Sequence, residues 1–301
     1  MDRIEQYRVF VQVAELGSFI QAARLMRLPR ASVSAAIQQL EANAGTRLLH
    51  RTTRKVSLTA DGTQLLLKAR QVLLDIDDID QLFNSHQEQV MGRLEVDVPS
   101  RIARRLVMPA LAEFLHRYPG LQLGLGSTDR AIDLVQEGVD CVIRFGTPQN
   151  SSLVVKPLGK VLLVNCASPA YLAEFGVPTQ PCDLQNRHVC IGYSTSAGGQ
   201  ETAWEYCVDG TAQAVMMPSR VVVNNAESYI AGCCAGLGLI QVPLFDVQHL
   251  LDSGELVEVM AAYRPAPMCV SVLYPTRRQR SRRLGAFIDW FAALMAPHLE
   301  P

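Results

Sequence analysis

Two groups of side chains near the N-terminus could bind a polyanion. The first follows Pro29 at helical spacing and has side chains that are short or can hydrogen-bond base edges: Arg30, Ser32, Ser34 and Gln38. The second is a basic run between apolar ends: Arg51, Thr52, Arg54 and Lys55. Arg24 could add a further contact. Cationic side chains of this kind contribute affinity for phosphates but little sequence information. For the first group, an ordinary solvated helix face is the alternative interpretation.

The elements that would position these residues can be predicted from local patterns. An apolar face between Ile4 and Ala14 predicts a first helix that ends at Gly17, and Ser18 is a suitable N-cap for a second. After Pro29, a third helix is predicted to begin near Arg30 and to end before residue 45. Residues 48–58 then read as a short hairpin. This order is typical of a winged helix-turn-helix, whose last helix enters the major groove.

Charge is distributed unevenly along the chain. The 301 residues contain 28 Lys and Arg against 29 Asp and Glu, which gives a net charge of −1. By segment, however, the balance is +5 for residues 1–60, −4 for 61–91 and −2 for the remainder. A basic N-terminal segment in a nearly neutral chain favours a nucleic-acid partner for that segment alone.

Residues 60–89 lack proline and carry apolar side chains spaced by four and three residues. They are Leu65, Ala69, Val72, Ile76, Ile79 and Phe83. This spacing is that of the apolar seam of a coiled coil and predicts a dimerisation helix. The alternative is one amphipathic helix that packs on its own domain.

At this point the chain resembles the LysR-type transcriptional regulators. The spacing of S-x-x-I-x-x-L-E, G-x-x-L, R-x-x-R and L-T-x-x-G matches that family in the runs Ala22–Leu25, Pro29–Glu41, Gly45–Arg54 and Leu58–Gly62. The resemblance implies a winged helix-turn-helix DNA-binding domain at 1–60, a linker helix at 61–90 and an effector-binding domain at 91–301. The implied partners are a double-stranded DNA operator, a small-molecule effector and further copies of the chain, in a homodimer or a dimer of dimers.

Beyond residue 91, strands alternate with helices, which predicts two α/β units built on parallel sheets. The resemblance implies how they are connected, as two lobes like those of periplasmic solute-binding proteins. Lobe I would comprise 91–162 and 267–301, and lobe II 163–266. The effector, which we expect to be a small organic anion, would bind between the lobes.

Five polar residues are candidates for that effector site: Ser100, Arg144, Thr195, Ser196 and Asn225. Each has an alternative role. Ser100 and Asn225 could merely cap helices, Arg144 could form an internal ion pair, and residues 195–196 could belong to an ordinary loop. The resemblance places all of them where family members often line the pocket.

Several other functions are disfavoured by the sequence. The N-terminus lacks the pattern of a secretory signal, and the most apolar stretch, 230–245, is short for a membrane span. The eight cysteines form no C-x-x-C pair, which favours a reducing cytoplasm. A zinc site at Cys182, His188 and Cys190 lacks the usual ligand spacing. The enzyme motifs that we sought are absent, so we expect neither catalysis nor a cofactor.

Two alternatives remain open. Cys190 or the pair Cys233 and Cys234 could make the protein a thiol-redox regulator of the same fold, although their apolar surroundings should suppress reactivity. Five arginines between 277 and 283 could form a second nucleic-acid patch, but a solvated helix start paired with acidic residues is favoured.

Overall fold

The computed structural model describes residues 1–51, 56–82, 90–130, 134, 137–147, 153–194, 202–276 and 281–300. The chain divides into two compact units. The first comprises Met1–Gln89 with Val135–Gly138, and the second comprises Val90–Leu134 with Val139–Pro301. We refer to them as the N-terminal and the C-terminal unit.

In its described residues, the N-terminal unit forms four helices and a hairpin. In chain order they are α1 (Arg3–Leu16), α2 (Phe19–Met26), α3 (Arg30–Ala44), β1 (Leu49–Arg51), β2 (Val56–Leu58) and α4 (Ala60–Leu82). As the sequence predicts, Gly17 ends α1 with φ of 59°, and the Ser18 side chain accepts a hydrogen bond from the backbone of Gln21. Arg27, in a left-handed conformation, ends α2 before Pro29 is reached. The strands β1 and β2 pair antiparallel, which confirms the predicted hairpin.

One apolar core joins the helices of this unit. Phe10 of α1, Val33 and Ile37 of α3, and Leu48 before the hairpin are all nearly inaccessible to solvent. Gly62 allows α4 to begin against this core, because a Cβ there would lie only 2.0 Å from the carbonyl oxygen of Leu48. The close approach gives a physical reason for the glycine of the L-T-x-x-G motif.

The C-terminal unit contains the remaining elements. Lobe I begins with β3 (Met91–Val98), α5 (Ser100–Ile102), a π-helical turn (Ala103–Val107), α6 (Met108–Arg117), β4 (Gly120–Ser127), β5 (Cys141–Phe145) and β6 (Leu153–Val161). Lobe II follows with β7 (Leu163–Ala167), α7 (Pro169–Phe175), α8 (Pro181–Arg187), β8 (Cys190–Tyr193), β9 (Trp204–Val208), β10 (Thr211–Val215), β11 (Ser219–Val223), α9 (Ala226–Cys234), β12 (Ile240–Pro243), α10 (Leu244–Ser253), β13 (Val257–Glu258) and a 3-10 turn (Ala261–Tyr263). The chain returns to lobe I as β14 (Met268–Pro275), α11 (Arg282–Met295) and a final 3-10 turn (Ala296–His298).

The sheet of lobe I has the order β4-β3-β5-β14-β6. The strands β3, β4 and β5 run parallel, but β14 is antiparallel to both β5 and β6. The prediction of a purely parallel sheet is therefore wrong for this lobe. The physical reason is that β14 enters the sheet on the chain's return from lobe II, rather than through a strand–helix–strand crossover within lobe I.

Lobe II is built on smaller sheets. The strand β7 lies between β12 and β13, both antiparallel to it, and β8 pairs in parallel with β11. The sequence did not predict the β9–β10 hairpin or β6, since their apolar residues alternate too weakly to stand out. Among the described residues, no helix is both long and apolar enough to cross a membrane.

Candidate DNA-binding and effector-binding sites

The predicted recognition helix, α3, presents a polar face to solvent. Arg30 and Gln38 are exposed, as is Arg24 on α2, whereas Ser32 and Ser34 are only half-exposed. The opposite face, which includes Val33 and Ile37, is buried in the core of the unit. The helix is therefore held by its apolar side and can offer the polar side to a groove.

The side chain of Glu41 fixes the hairpin relative to α3. Its Oε1 accepts hydrogen bonds from the backbone amides of Leu48, at 3.0 Å, and of Leu49, at 3.2 Å. At the same open end of the hairpin, after β2, Thr59 donates its hydroxyl to the carbonyl of Arg47 and accepts from the amide of Gly62. These motif residues thus attach the open end of the hairpin to α3 and to the start of α4.

The tip of the hairpin falls outside the described residues. Thr52, Arg54 and Lys55 belong to this undescribed part, and Arg51 is described only as the backbone that ends β1. Their role as phosphate contacts stays a prediction.

The predicted dimerisation seam on α4 divides into two parts. Ala69 is 1% exposed and lies in the core of its own unit, against which Leu65 also packs. The prediction that Ala69 contacts a second copy is therefore wrong, because the first turns of α4 pack on α1. Farther along, Val72 and Ile79 are 40% and 55% exposed, and Ile76 is half-exposed. Phe83 lies outside the described residues.

At the junction of the two lobes, Ser100 binds a carboxylate, but the carboxylate belongs to the protein. The amide and the hydroxyl of Ser100 donate to Oδ1 and Oδ2 of Asp129, at 3.0 and 2.8 Å. Ala226, the first residue of α9 in lobe II, donates its amide to the same Oδ2 at 3.2 Å. Three donors from two lobes therefore converge on one anionic group. The helix-capping alternative for Ser100 is wrong, since Pro99 holds the N-cap position.

Arg144 has the internal ion pair that was its alternative role. Its Nη2 lies 3.0 Å from Oδ1 of Asp97 and also donates to the carbonyl of Arg130. Asp97 is almost inaccessible and accepts a further hydrogen bond from Thr128. The guanidinium is thus engaged by lobe I in this structure, which does not support its predicted contact with an effector.

Asn225 also has the role that was its alternative. Its side chain caps α9 by accepting a hydrogen bond from the amide of Ser228 at 2.8 Å. Thr195 and Ser196 lie outside the described residues. Two of the five predicted effector contacts, Ser100 and Asn225, lie near Asp129. Ser100 bonds to its carboxylate directly, and Asn225 precedes Ala226, which bonds to the same carboxylate.

A second group of charges lies at the lobe junction, and none of its members is among the site residues predicted from the sequence. Arg101, in α5, lies 2.5 Å from Oδ2 of Asp246 in α10, and both side chains are buried. Arg105 contacts the carbonyl of Asp246 and forms an ion pair with Glu227 at 3.1 Å. The sequence did contain a signal for these ion pairs: an apolar helical segment carries arginines at 101, 104 and 105. An arginine that is buried in such a segment requires an acidic partner.

Two ionisable groups at the junction have shifted pKa values, mainly because they are buried. Burial raises the pKa of Asp246 to about 6, although Arg101 and Arg105 oppose the shift by stabilising the charged form. Burial also raises the pKa of Tyr193, at the end of β8, to about 12, and the nearby negative charge of Asp129 adds to this effect. A new charged group could enter here only if it formed comparable hydrogen bonds.

Burial makes two of the cysteines, Cys166 and Cys233, poor nucleophiles. Cys233 is 0% exposed, and burial raises the pKa of its thiol, as it does for Cys166, whose pKa rises to about 12. A raised pKa disfavours the nucleophilic thiolate. His188 bonds to the hydroxyl of Tyr171, and no cluster of described His, Cys, Asp and Glu side chains could hold a metal ion.

Comparison with known families agrees with this arrangement of domains. Residues 4–63 match the model of the bacterial regulatory helix-turn-helix protein of the lysR family, and residues 87–296 match the LysR substrate binding domain. The protein is thus a helix-turn-helix transcriptional regulator and not an enzyme. The chain belongs to the LysR family of DNA-binding transcriptional regulators with an effector-binding domain.

Several relatives match over nearly the whole length. The chain is 41% identical to YhjC, an HTH-type transcriptional regulator of Escherichia coli K12, with 100% of both chains covered. It is 34% identical to an HTH-type transcriptional repressor of Pseudomonas aeruginosa, with 100% of this chain and 94% of the relative covered. Among solved structures, CrgA, a LysR-type transcriptional regulator from Neisseria meningitidis, is 28% identical with a TM-score of 0.60, over 96% of this chain and 97% of CrgA.

Proposed function

We propose that this regulator binds a dyad operator as a homodimer or a dimer of dimers, and that a small organic anion between the two lobes switches its activity. In this proposal α3 enters the major groove and the hairpin binds the flanking phosphates. The exposed residues Val72 and Ile79 of α4, together with the half-exposed Ile76, would pair with those of a second copy. Its action on the chromosome would place the protein in the cytoplasm.

Two observations support the DNA-binding part of the proposal. Arg24, Arg30 and Gln38 are exposed, and residues 1–60 carry a net charge of +5. Gln38 has the side chain that can bond an adenine edge with two hydrogen bonds, and Arg24 has one suited to phosphate. These two residues should therefore affect binding differently.

Binding of labelled DNA from upstream of the regulator's own gene tests this part. Gln38→Ala should weaken binding to the preferred sequence and lower discrimination by about 1–3 kcal/mol. Arg24→Ala should weaken binding to all sequences alike and reduce the salt dependence. Failure of the wild-type chain to bind any such DNA would contradict the proposal, and identical behaviour of the two variants would contradict the assignment of roles.

The observation that carries the effector part is the convergence of Ser100 and Ala226 on a carboxylate at the lobe junction. These neutral donors are arranged for an anion, and they belong to both lobes, so an anion bound there would contact both. Effectors of this class alter activity only if they bind one arrangement of the lobes more tightly than another.

A thermal-shift screen of small carboxylates against the full chain, followed by operator binding with each hit, tests this part. A carboxylate that stabilises the protein should also change operator affinity. A set of neutral amides of the same shapes is the control and should do neither. If no carboxylate has an effect and neutral compounds do, the anion assignment is wrong. An operator response to peroxide that disappears when all eight cysteines are replaced would instead favour the redox alternative.

A further inference from the structure

The carboxylate of Asp129 connects the lobes at a position that a ligand would be expected to occupy. Asp129 follows β4 of lobe I, so its link to the amide of Ala226 crosses to lobe II. We name this group of three hydrogen bonds, from the amide and hydroxyl of Ser100 and the amide of Ala226, the Asp129 bridge. The bridge uses both oxygens of one carboxylate, as a bound acid would.

A second carboxylate crosses the junction in the opposite direction. Asp246 of lobe II reaches Arg101 of lobe I, which is the neighbour of Ser100 in the chain. This ion pair is deeply buried, with side-chain exposures of 8% and 0%. Asp129 is half-exposed and is held by neutral donors only, among the contacts that the structure describes. The two links therefore differ, since water and solutes can reach Asp129 but not the Asp246 pair.

We propose that Asp129 is an internal substitute for the effector, whose carboxylate holds the lobes together until a free carboxylate takes its place on Ser100 and Ala226. This inference rests on the proposed effector site and specifies how that site is regulated. The ligand class is a small carboxylic acid in its ionised form, because the donors that it must satisfy are those that Asp129 satisfies.

The Asp129 carboxylate and a free carboxylate would compete for the same donors of Ser100 and Ala226. A side chain attached to the same chain has a high effective concentration at its own binding site, so a free carboxylate must be tight-binding or abundant to displace it. Removal of the Asp129 carboxylate should lower that requirement. It should also release the connection between the end of β4 and α9, which shifts the lobes toward arrangements that the bridge disfavours.

Hydrogen exchange of individual backbone amides in the full chain measures the bridge directly. In Asp129→Ala, the amides of Ser100 and Ala226 lose their acceptor and should exchange about tenfold faster than in the wild type. The amide of Ser228 is an internal control, because it bonds to Asn225 and should be unchanged. In the matched variant Asn225→Ala, the amide of Ser228 should become fast and those of Ser100 and Ala226 should stay slow.

Acetate then tests whether the site accepts a free carboxylate. Added to Asp129→Ala, acetate should restore slow exchange at Ser100 and Ala226, whereas acetamide, a neutral molecule of the same shape, should not. In Asp129→Asn the charge is removed, the space stays filled and only one acceptor oxygen is left, so at least one of the two amides should be fast and acetate should not slow it.

The outcomes separate this inference from the proposed effector class. If both amides in Asp129→Ala exchange as slowly as in the wild type, the Asp129 bridge does not hold the junction and the inference is wrong. If they become fast and acetate restores them, both proposals are supported. If they become fast and neither acetate nor any carboxylate from the thermal-shift screen slows them, the bridge holds the lobes together, but substitution by a free carboxylate and the carboxylate effector are overturned.

Discussion

The two units of this regulator use positive charge in opposite ways. In the N-terminal unit, Arg24 of α2 and Arg30 of α3 are exposed to solvent. In the C-terminal unit, Arg101, Arg105 and Arg144 are each paired with a carboxylate of the same chain. The first arrangement is suited to an external polyanion, and the second to control of the protein's own conformation.

The difference indicates that arginine count alone does not identify a binding surface. An exposed cation retains its attraction for an external anion, whereas a paired one has already satisfied that attraction internally. The pairs of Arg101 and Arg105 also cross between lobes, so their energy affects the arrangement of the lobes. The predictions below test this contrast between the units.

The largest effect is expected from a methyl group at Gly62. Gly62→Ala would place its Cβ 2.0 Å from the carbonyl oxygen of Leu48, so either α4 or the hairpin must move. We expect a loss of about 3 kcal/mol in the stability of the N-terminal unit. A fall in operator affinity should accompany it, and melting followed by circular dichroism together with DNA binding would measure both.

Gly285→Ala in α11 is the matched control in the C-terminal unit. Among the described residues, no atom of a neighbouring element lies within 4 Å of where the added methyl group would stand, and alanine favours helix more than glycine does. This variant should gain about 0.5–1 kcal/mol and bind the operator normally. Tryptophan fluorescence would report its stability, because both tryptophans, Trp204 and Trp290, belong to this unit. Equal destabilisation by the two substitutions would contradict the close-approach argument.

An intermediate effect is expected from the pH dependence of Asp246. Its pKa in the folded protein is about 6 against 3.8 for the ordinary group, because burial outweighs the attraction of Arg101 and Arg105 and the charge of Glu227 adds repulsion. The folded state therefore retains a proton that the unfolded state releases. Stability should fall by about 3 kcal/mol in total as pH rises from about 3 to about 7, with about 2 kcal/mol of that fall between pH 4 and 6, and this contribution should be constant at higher pH.

Urea unfolding of the wild type and Asp246→Asn across this range would isolate the effect. The difference in unfolding free energy between the two proteins should change between pH 4 and 6, because asparagine does not titrate. Asp252→Asn, at an exposed position of the same helix, is the control and should leave the pH profile unchanged. If the unfolding free energies of the wild type and Asp246→Asn differ by the same amount at every pH in this range, Asp246 stays ionised in its pair with Arg101.

The smallest effect on stability is expected at the hairpin, where substitutions should act on DNA affinity and on its salt dependence. Replacement of Arg51, Arg54 and Lys55 by glutamine should lower the slope of log affinity against log salt by about 0.9 for each phosphate that the hairpin no longer neutralises. The matched change of Arg277, Arg278 and Arg280 to glutamine in the C-terminal unit should leave the slope unchanged. Fluorescence anisotropy over a salt series would measure both, and a slope that depends on the second group would contradict the division of roles between the units.

Much of the N-terminal unit could be predicted because its determinants are local. Gly17 and Ser18 act within one turn of their own helices, and the hairpin closes within the stretch 48–58. The α4 seam was harder to predict. Leu65 and Ala69 have the spacing of a coiled coil, yet they pack in the core of their own unit. The same apolar spacing suits a partner helix of the same chain and one of a second copy, so the sequence does not distinguish them.

The effector site could be located from the sequence only in outline. Ser100 and Asn225 do lie at the lobe junction, but Asp129 was not predicted, since a single aspartate after a strand has no distinguishing pattern. Arg144 was a candidate effector contact with an internal ion pair as its alternative role, and it pairs with Asp97, a residue 47 positions away.

The sequence by itself determined the family, the order of the elements and the uneven distribution of charge, because these depend on residue types and spacing along a few helical turns. Only the tertiary structure decided which partner each charge has. The amide of Ala226 meets Asp129 across 97 residues, and Arg105 meets Glu227 across 122. Coulomb energies and hydrogen bonds depend on distance in space, and that distance is set by a chain that leaves lobe I, builds lobe II and returns.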